Sequence, residues 1–131
     1  MIRFKIYINK IDWHIDCFIT TDNSYLKQII DKLIDLECQE SVVKRAYVIL
    51  RDQVDSGFAY SNLNMRRSVM VVNKSTSMEE FVNTYNHEKN HIEMHICESM
   101  GIDPYSEVAA DLSGCLAQLL YNAILSKMNY I

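Results

Sequence analysis

Only three glycines and one proline interrupt this 131-residue chain, so the few places where the backbone is invited to break also divide it into segments. Gly57 closes one helical stretch, and the step from Gly101 to Pro104 separates two long segments of helical periodicity. With 49% hydrophobic residues between so few breakers, the composition is that of an ordered globule and not of a linker or a disordered tail. A length within the usual range of about 100–150 residues per domain points to one domain covering residues 1–131.

The formal charge of −4 and the lack of any Lys/Arg cluster argue against a nucleic-acid partner, because phosphate binding concentrates positive charge on one face. Apolar runs are short, and the first residues alternate where a leader or membrane segment would be continuously apolar. The expectation is a cytoplasmic protein with no membrane partner. Cys17, Cys38, Cys97 and Cys115 form no CxxC pair and read as reduced, largely buried small hydrophobes.

Alternation over 2–8, a turn at Asn9 to Asp12 and a β-branched run from Trp13 to Thr20 predict an N-terminal β-hairpin. From Ser24, the apolar residues Leu26, Ile29, Ile30 and Leu33 take the 3.6-residue period of a helix that continues toward Leu36. A second helix is predicted from an N-cap at Ser41 to a stop at Gly57. Residues 58–63 and 67–73 follow as two strands turning at Asn64, the second apolar on both faces at Val69 to Val72. Ser77-Met78-Glu79-Glu80 is a capping box, starting a helix that runs to Met100 before Gly101. Asp103-Pro104 then serve as N-cap and first turn of a last helix over 104–128. The fold class expected is α+β.

On the penultimate helix stands His87-Glu88-Lys89-Asn90-His91. Histidines four residues apart lie about 6 Å apart along the axis on one face, so both imidazoles can reach one metal ion. Glu88 is turned to the side of that pair, where a carboxylate can hold a metal-bound water and take its proton. Catalytic zinc takes three protein ligands and leaves one position to water. Glu107, sixteen residues after His91 on the next helix, is the candidate third ligand. Asp111, one turn further, is placed to hydrogen-bond the outer nitrogen of a ligating histidine. Gly114 beneath them is expected to let the two helices approach closely.

HEKNH followed by EVAAD resembles the gluzincin branch of the zincin metallopeptidases, whose pattern is HExxH with a downstream ExxxD. Within that branch the chain is most similar to minimal single-domain members, the minigluzincins, and to small zincin-like proteins of gut-bacterial phages and prophages. The resemblance covers roughly residues 57–125. It implies a minimal zincin-like fold and a Zn2+ ion held by His87, His91 and Glu107. It further implies Glu88 as general base, Asp111 behind the ligands, and a peptide or protein substrate. Two residues depart from the pattern: Lys89 inside the motif, and Glu93 two residues past His91, where such peptidases carry uncharged and apolar residues.

A peptidase also needs a donor for the developing oxyanion, and Tyr60, Arg66, His95 and Tyr105 are the candidates. His95 continues the histidine series, but about 12 Å along the helix from His87 and about 80° round from it, which suits the rim of a site and not the metal. His14 reads as a surface residue. The competing expectation is a non-catalytic zincin fold, a phage-associated accessory or interaction protein.

Overall fold

The computed structural model describes residues 2–19 and 23–127. In chain order they form β1 (Ile2–Ile8), a 3-10 turn (Asn9–Ile11), β2 (Trp13–Ile19), α1 (Leu26–Asp35), α2 (Glu40–Asp52), β3 (Gly57–Asn62), β4 (Arg67–Val72), α3 (Met78–Met100) and α4 (Glu107–Lys127). The α+β class and the element order expected from the sequence both hold. The expected strand end at Thr20 and helix end at residue 128 lie outside the described residues.

The strands make one sheet in the order β1-β2-β4-β3. Among the described residues only the β2–β4 pair is parallel. Because side chains alternate across a strand, Phe4, Ile6, Ile8, Trp13, Ile15, Cys17, Met70 and Val72 share one face. They meet Ile92 and Ile96 of α3 and Leu116, Leu120 and Ile124 of α4. Phe18, Val69 and Val71 face the other way, against Ile29, Leu33, Leu36, Ala46 and Leu50 of α1 and α2. The central strands β2 and β4 are therefore covered on both sides, which explains the unbroken run Val69–Val72. Each large apolar side chain buried in these two cores stabilises the fold by about 1.5–3 kcal/mol.

Several boundaries differ from the sequence expectation for identifiable reasons. Gly57 does not stop a helix: α2 ends at Asp52, and Gly57 opens β3 without a positive φ. Gly101 is the left-handed terminator expected, at φ 67°, its N–H returning to the Cys97 carbonyl. The last helix begins later than Pro104, because Ser106 caps it: its Oγ accepts the Ala109 N–H at 3.2 Å. A Cβ on Gly114 would meet nothing within 4 Å, so that glycine does not mark a close helix crossing. Cys17 and Cys97 are buried, but Cys115 is exposed, and all four cysteines are free thiols. α4 is long and apolar enough, by length and composition alone, to cross a membrane; it docks Leu116, Leu120 and Ile124 into the core.

Candidate metal centre

Helix α3 carries the site because both of its ends are fixed: Ser77 Oγ accepts the Glu80 N–H at the start, and Gly101 ends it. Between them Thr84, Glu88, Ile92 and Ile96 recur every four residues as a buried stripe against the sheet. The histidines lie on one shoulder of that stripe, and Lys89 with Glu93 on the other. Two residues are about 200° of turn, so His87 and Lys89 point to opposite sides of the helix.

On the histidine shoulder His87 Nε2 and His91 Nε2 are 3.1 Å apart. Two nitrogens bound tetrahedrally at about 2.0–2.1 Å from one zinc ion stand about 3.3 Å from each other, so this pair fits two positions of one metal site. Both imidazoles are exposed. Glu88 is the opposite case, only 5% exposed, with Oε1 3.9 Å from His87 Nε2. Burial pushes its carboxyl above the usual carboxylate range, and the neighbouring His87 opposes that shift.

Glu88 owes its place to Gly57. A Cβ there would sit 2.6 Å from the Val71 carbonyl oxygen, 2.7 Å from Glu88 Cγ and 3.0 Å from Thr84 Cγ2. The glycine is thus the gap through which α3 settles onto the β3–β4 pair, and the Glu88 side chain fills it. Asp55, Ser56, Gly57, Thr84, His87 and Glu88 line a cleft at this point. The Gly57→Ala variant is expected to lose about 1–3 kcal/mol through overpacking, measured by urea denaturation. An unchanged midpoint would mean that α3 is free to move away from the sheet.

The two acids singled out on the last helix are not grouped with the pair among the described residues. Glu107 is exposed at the first turn of α4. Asp111 lines a different cavity with Ile8, Ile11 and Leu112. Among the described residues no group of three or more His, Cys, Asp or Glu side chains is placed to hold a metal. The reason is the side on which α4 docks. Lys89 Nζ bonds Glu93 Oε1, and Ser113 of α4 donates to Glu93 Oε1 at 3.0 Å. α4 therefore lies against the shoulder opposite the histidines. The two departures from the zincin pattern, Lys89 and Glu93, are this helix–helix contact and do not face the site.

Of the oxyanion candidates, Tyr60 donates its hydroxyl to the Leu36 carbonyl at 3.4 Å and packs with the α1–α2 core, on the far face of the sheet. Arg66, in the β3–β4 turn, donates to the Ile11 carbonyl at 3.2 Å. Tyr105 is 96% exposed in the α3–α4 connection. Only His95 adjoins the pair: its ring centroid lies 6.3 Å from that of His91, and its Nδ1 lies 2.7 Å from Ser61 Oγ on β3. Burial, then the neighbouring His91, lowers its pKa, with Glu98 opposing. His14 is exposed, as expected, and its ring lies 4.5 Å from that of Tyr7.

Ser61 and Ser68 were not among the sequence candidates. The available signal was strand parity: Ser68 precedes an apolar run, and in the β2–β4 register it faces the same way as Ile15. A serine at a core-facing position must find partners. No protein-family model, curated protein or solved structure matches the chain.

Proposed function

We infer that the chain is a zincin-like zinc protein that hydrolyses peptide bonds, with His87 and His91 holding the metal and Glu88 as general base. The convergence of His87 Nε2 and His91 Nε2 to 3.1 Å on an exposed face, with Glu88 Oε1 3.9 Å from His87, carries this reading. A bound zinc ion supplies a polarised water and a Lewis acid for the substrate carbonyl. The buried Glu88, its proton affinity raised, takes and returns the proton. Among the described residues β3 is an edge strand paired only with β4, and an edge strand is a place where an extended peptide can add to a sheet. The net negative charge supports a peptide or protein substrate over nucleic acid, and a cytoplasmic place of action belongs to the same reading.

Two protein ligands are one fewer than catalytic zinc sites usually have. That observation favours a second reading, a non-catalytic zincin-like accessory or interaction protein, such as the phage-associated proteins the motif resembles. Zinc content decides the metal question. Protein equilibrated with zinc and freed of excess is expected to retain one equivalent, and the His87→Ala and His91→Ala variants well below that. Glu107→Ala is expected to retain zinc like the wild type, because α4 docks on the opposite shoulder of α3. A wild type that retains none refutes the site, and loss on Glu107→Ala returns that residue to the ligand set.

A further inference from the structure

A hydrogen-bonded chain runs from the core of the sheet to the histidine shoulder, and its direction can be counted. Trp13, fully buried, has an indole N–H that can only donate, and it lies 2.8 Å from Ser68 Oγ. Ser68, also fully buried, lies 2.6 Å from Ser61 Oγ, its cross-strand partner. Ser61 Oγ lies 2.7 Å from His95 Nδ1. Having accepted from Trp13, Ser68 satisfies its own proton by donating to Ser61. Ser61, accepting from Ser68, has His95 Nδ1 as the acceptor in the chain for its own proton. In this order every donor along the chain is used; reversing both serine bonds leaves the buried Ser68 proton without an acceptor in the chain, at a cost of about 1–3 kcal/mol, and a His95 Nδ1–H leaves the proton of the half-buried Ser61 without one.

An Nδ1 that accepts carries no proton, so the proton of a neutral His95 sits on Nε2, at the other edge of the ring. The ring that carries it has its centroid 6.3 Å from that of His91. We propose that His95 is a substrate-contacting residue, held by the Trp13–Ser68–Ser61 relay as a neutral Nε2–H donor to the acyl oxygen of a peptide bound at His87 and His91. The contact rests on the zinc-peptidase reading above, but the tautomer does not. A fixed donor aimed where charge develops is the usual means of stabilising an oxyanion, and the relay supplies it without a charged group. It also sets His95 apart from the pair: a ring whose Nε2 bears the proton offers no lone pair there to the metal.

Long-range proton–nitrogen NMR of the histidine rings in the metal-free protein tests the tautomer. His95 is expected as the Nε2–H form, and Ser61→Ala, which removes one hydroxyl from the relay, is expected to mix the two forms. A wild-type His95 in the Nδ1–H form overturns the proposal. Binding of a tetrahedral peptide phosphonate to the zinc-loaded protein tests the contact. His95→Phe is expected to weaken it about tenfold, as loss of a hydrogen bond to a charged oxygen does, with His95→Gln, which keeps an N–H, falling between. Equal affinity of His95→Phe and wild type overturns the contact, and loss of zinc from His95→Phe overturns it by making His95 a ligand. A wild type that takes up no zinc sinks the functional reading itself, whereas these two failures occur with zinc bound to the wild type.

Discussion

Replacing Lys89 alone by methionine is expected to lower the stability of the fold by about 3–5 kcal/mol, the usual cost of breaking a buried ion pair from one side. The double change Lys89→Met with Glu93→Leu is expected to recover most of that loss. The side chains of Lys89 and Glu93 are only 9% and 15% exposed. Ser113 closes the group, donating to Glu93 at 3.0 Å and accepting from Lys89 at 3.5 Å. Removing the ammonium leaves a carboxylate between α3 and α4 with one hydroxyl for company, and water cannot readily replace the lost partner. Removing both charges exchanges the pair for apolar contact, which buried sites accept with little loss and at times with gain. Urea denaturation of the wild type, both single variants and the double variant closes the cycle. Equal losses in the single and double variants would show that the pair contributes by side-chain volume alone. Zinc content should be unchanged throughout, because the pair and the histidines lie on opposite shoulders of one helix.

That same helix shows what the sequence could and could not reveal. Its start and end were legible, since Ser77 and Gly101 act through local chemistry: a hydroxyl reaching an amide three residues on, and a left-handed residue returning its N–H to the last turn. The convergence of His87 and His91 was legible for the same reason, because i and i+4 are neighbours by helix geometry alone. The strands were legible through alternation, and Val69–Val72 through its lack of it. What stayed hidden depended on contacts between elements distant in sequence. Nothing in EVAAD states on which side of α3 the last helix docks. That is decided by Leu116, Leu120 and Ile124 meeting the sheet beside β1 and by Ser113 meeting Glu93. Gly57 was read as a helix stop because the glycine signal is the same for a left-handed turn and for a close approach; only the positions of Val71, Thr84 and Glu88 distinguish the two. The Trp13–Ser68–Ser61–His95 chain joins three strands and a helix, and no spacing in the sequence announces it.

The Glu88→Gln variant is expected to lose about 10²–10⁴-fold in kcat on an unfolded protein substrate, the span usually associated with removing a general base, while retaining zinc like the wild type. It is also expected to be more stable than the wild type near neutral pH when both are metal-free. The two outcomes share a cause. Burial against Gly57 and Thr84 holds the Glu88 carboxyl above its ordinary range, which makes it a better proton acceptor near neutrality and makes its ionised form a cost to the folded state. For an acid whose folded pKa lies above its unfolded one, that cost is present above the folded pKa. It shrinks as pH falls and is gone below the unfolded pKa. Glutamine keeps the volume and carries no charge, so its advantage in Tm should be full near neutral pH and should close as pH falls into the ordinary carboxylate range. Thermal melts of both proteins across that range, beside peptide hydrolysis with zinc, measure the two effects separately. A variant that hydrolyses as fast as the wild type removes Glu88 from the base role. One that melts lower at neutral pH shows that the ionised carboxylate is stabilised in its pocket, with His87, 3.9 Å away, outweighing burial. A wild type that binds zinc and cleaves none of a varied set of unfolded substrates decides for the accessory protein, and Glu88 is then a buried acid filling the space that Gly57 leaves.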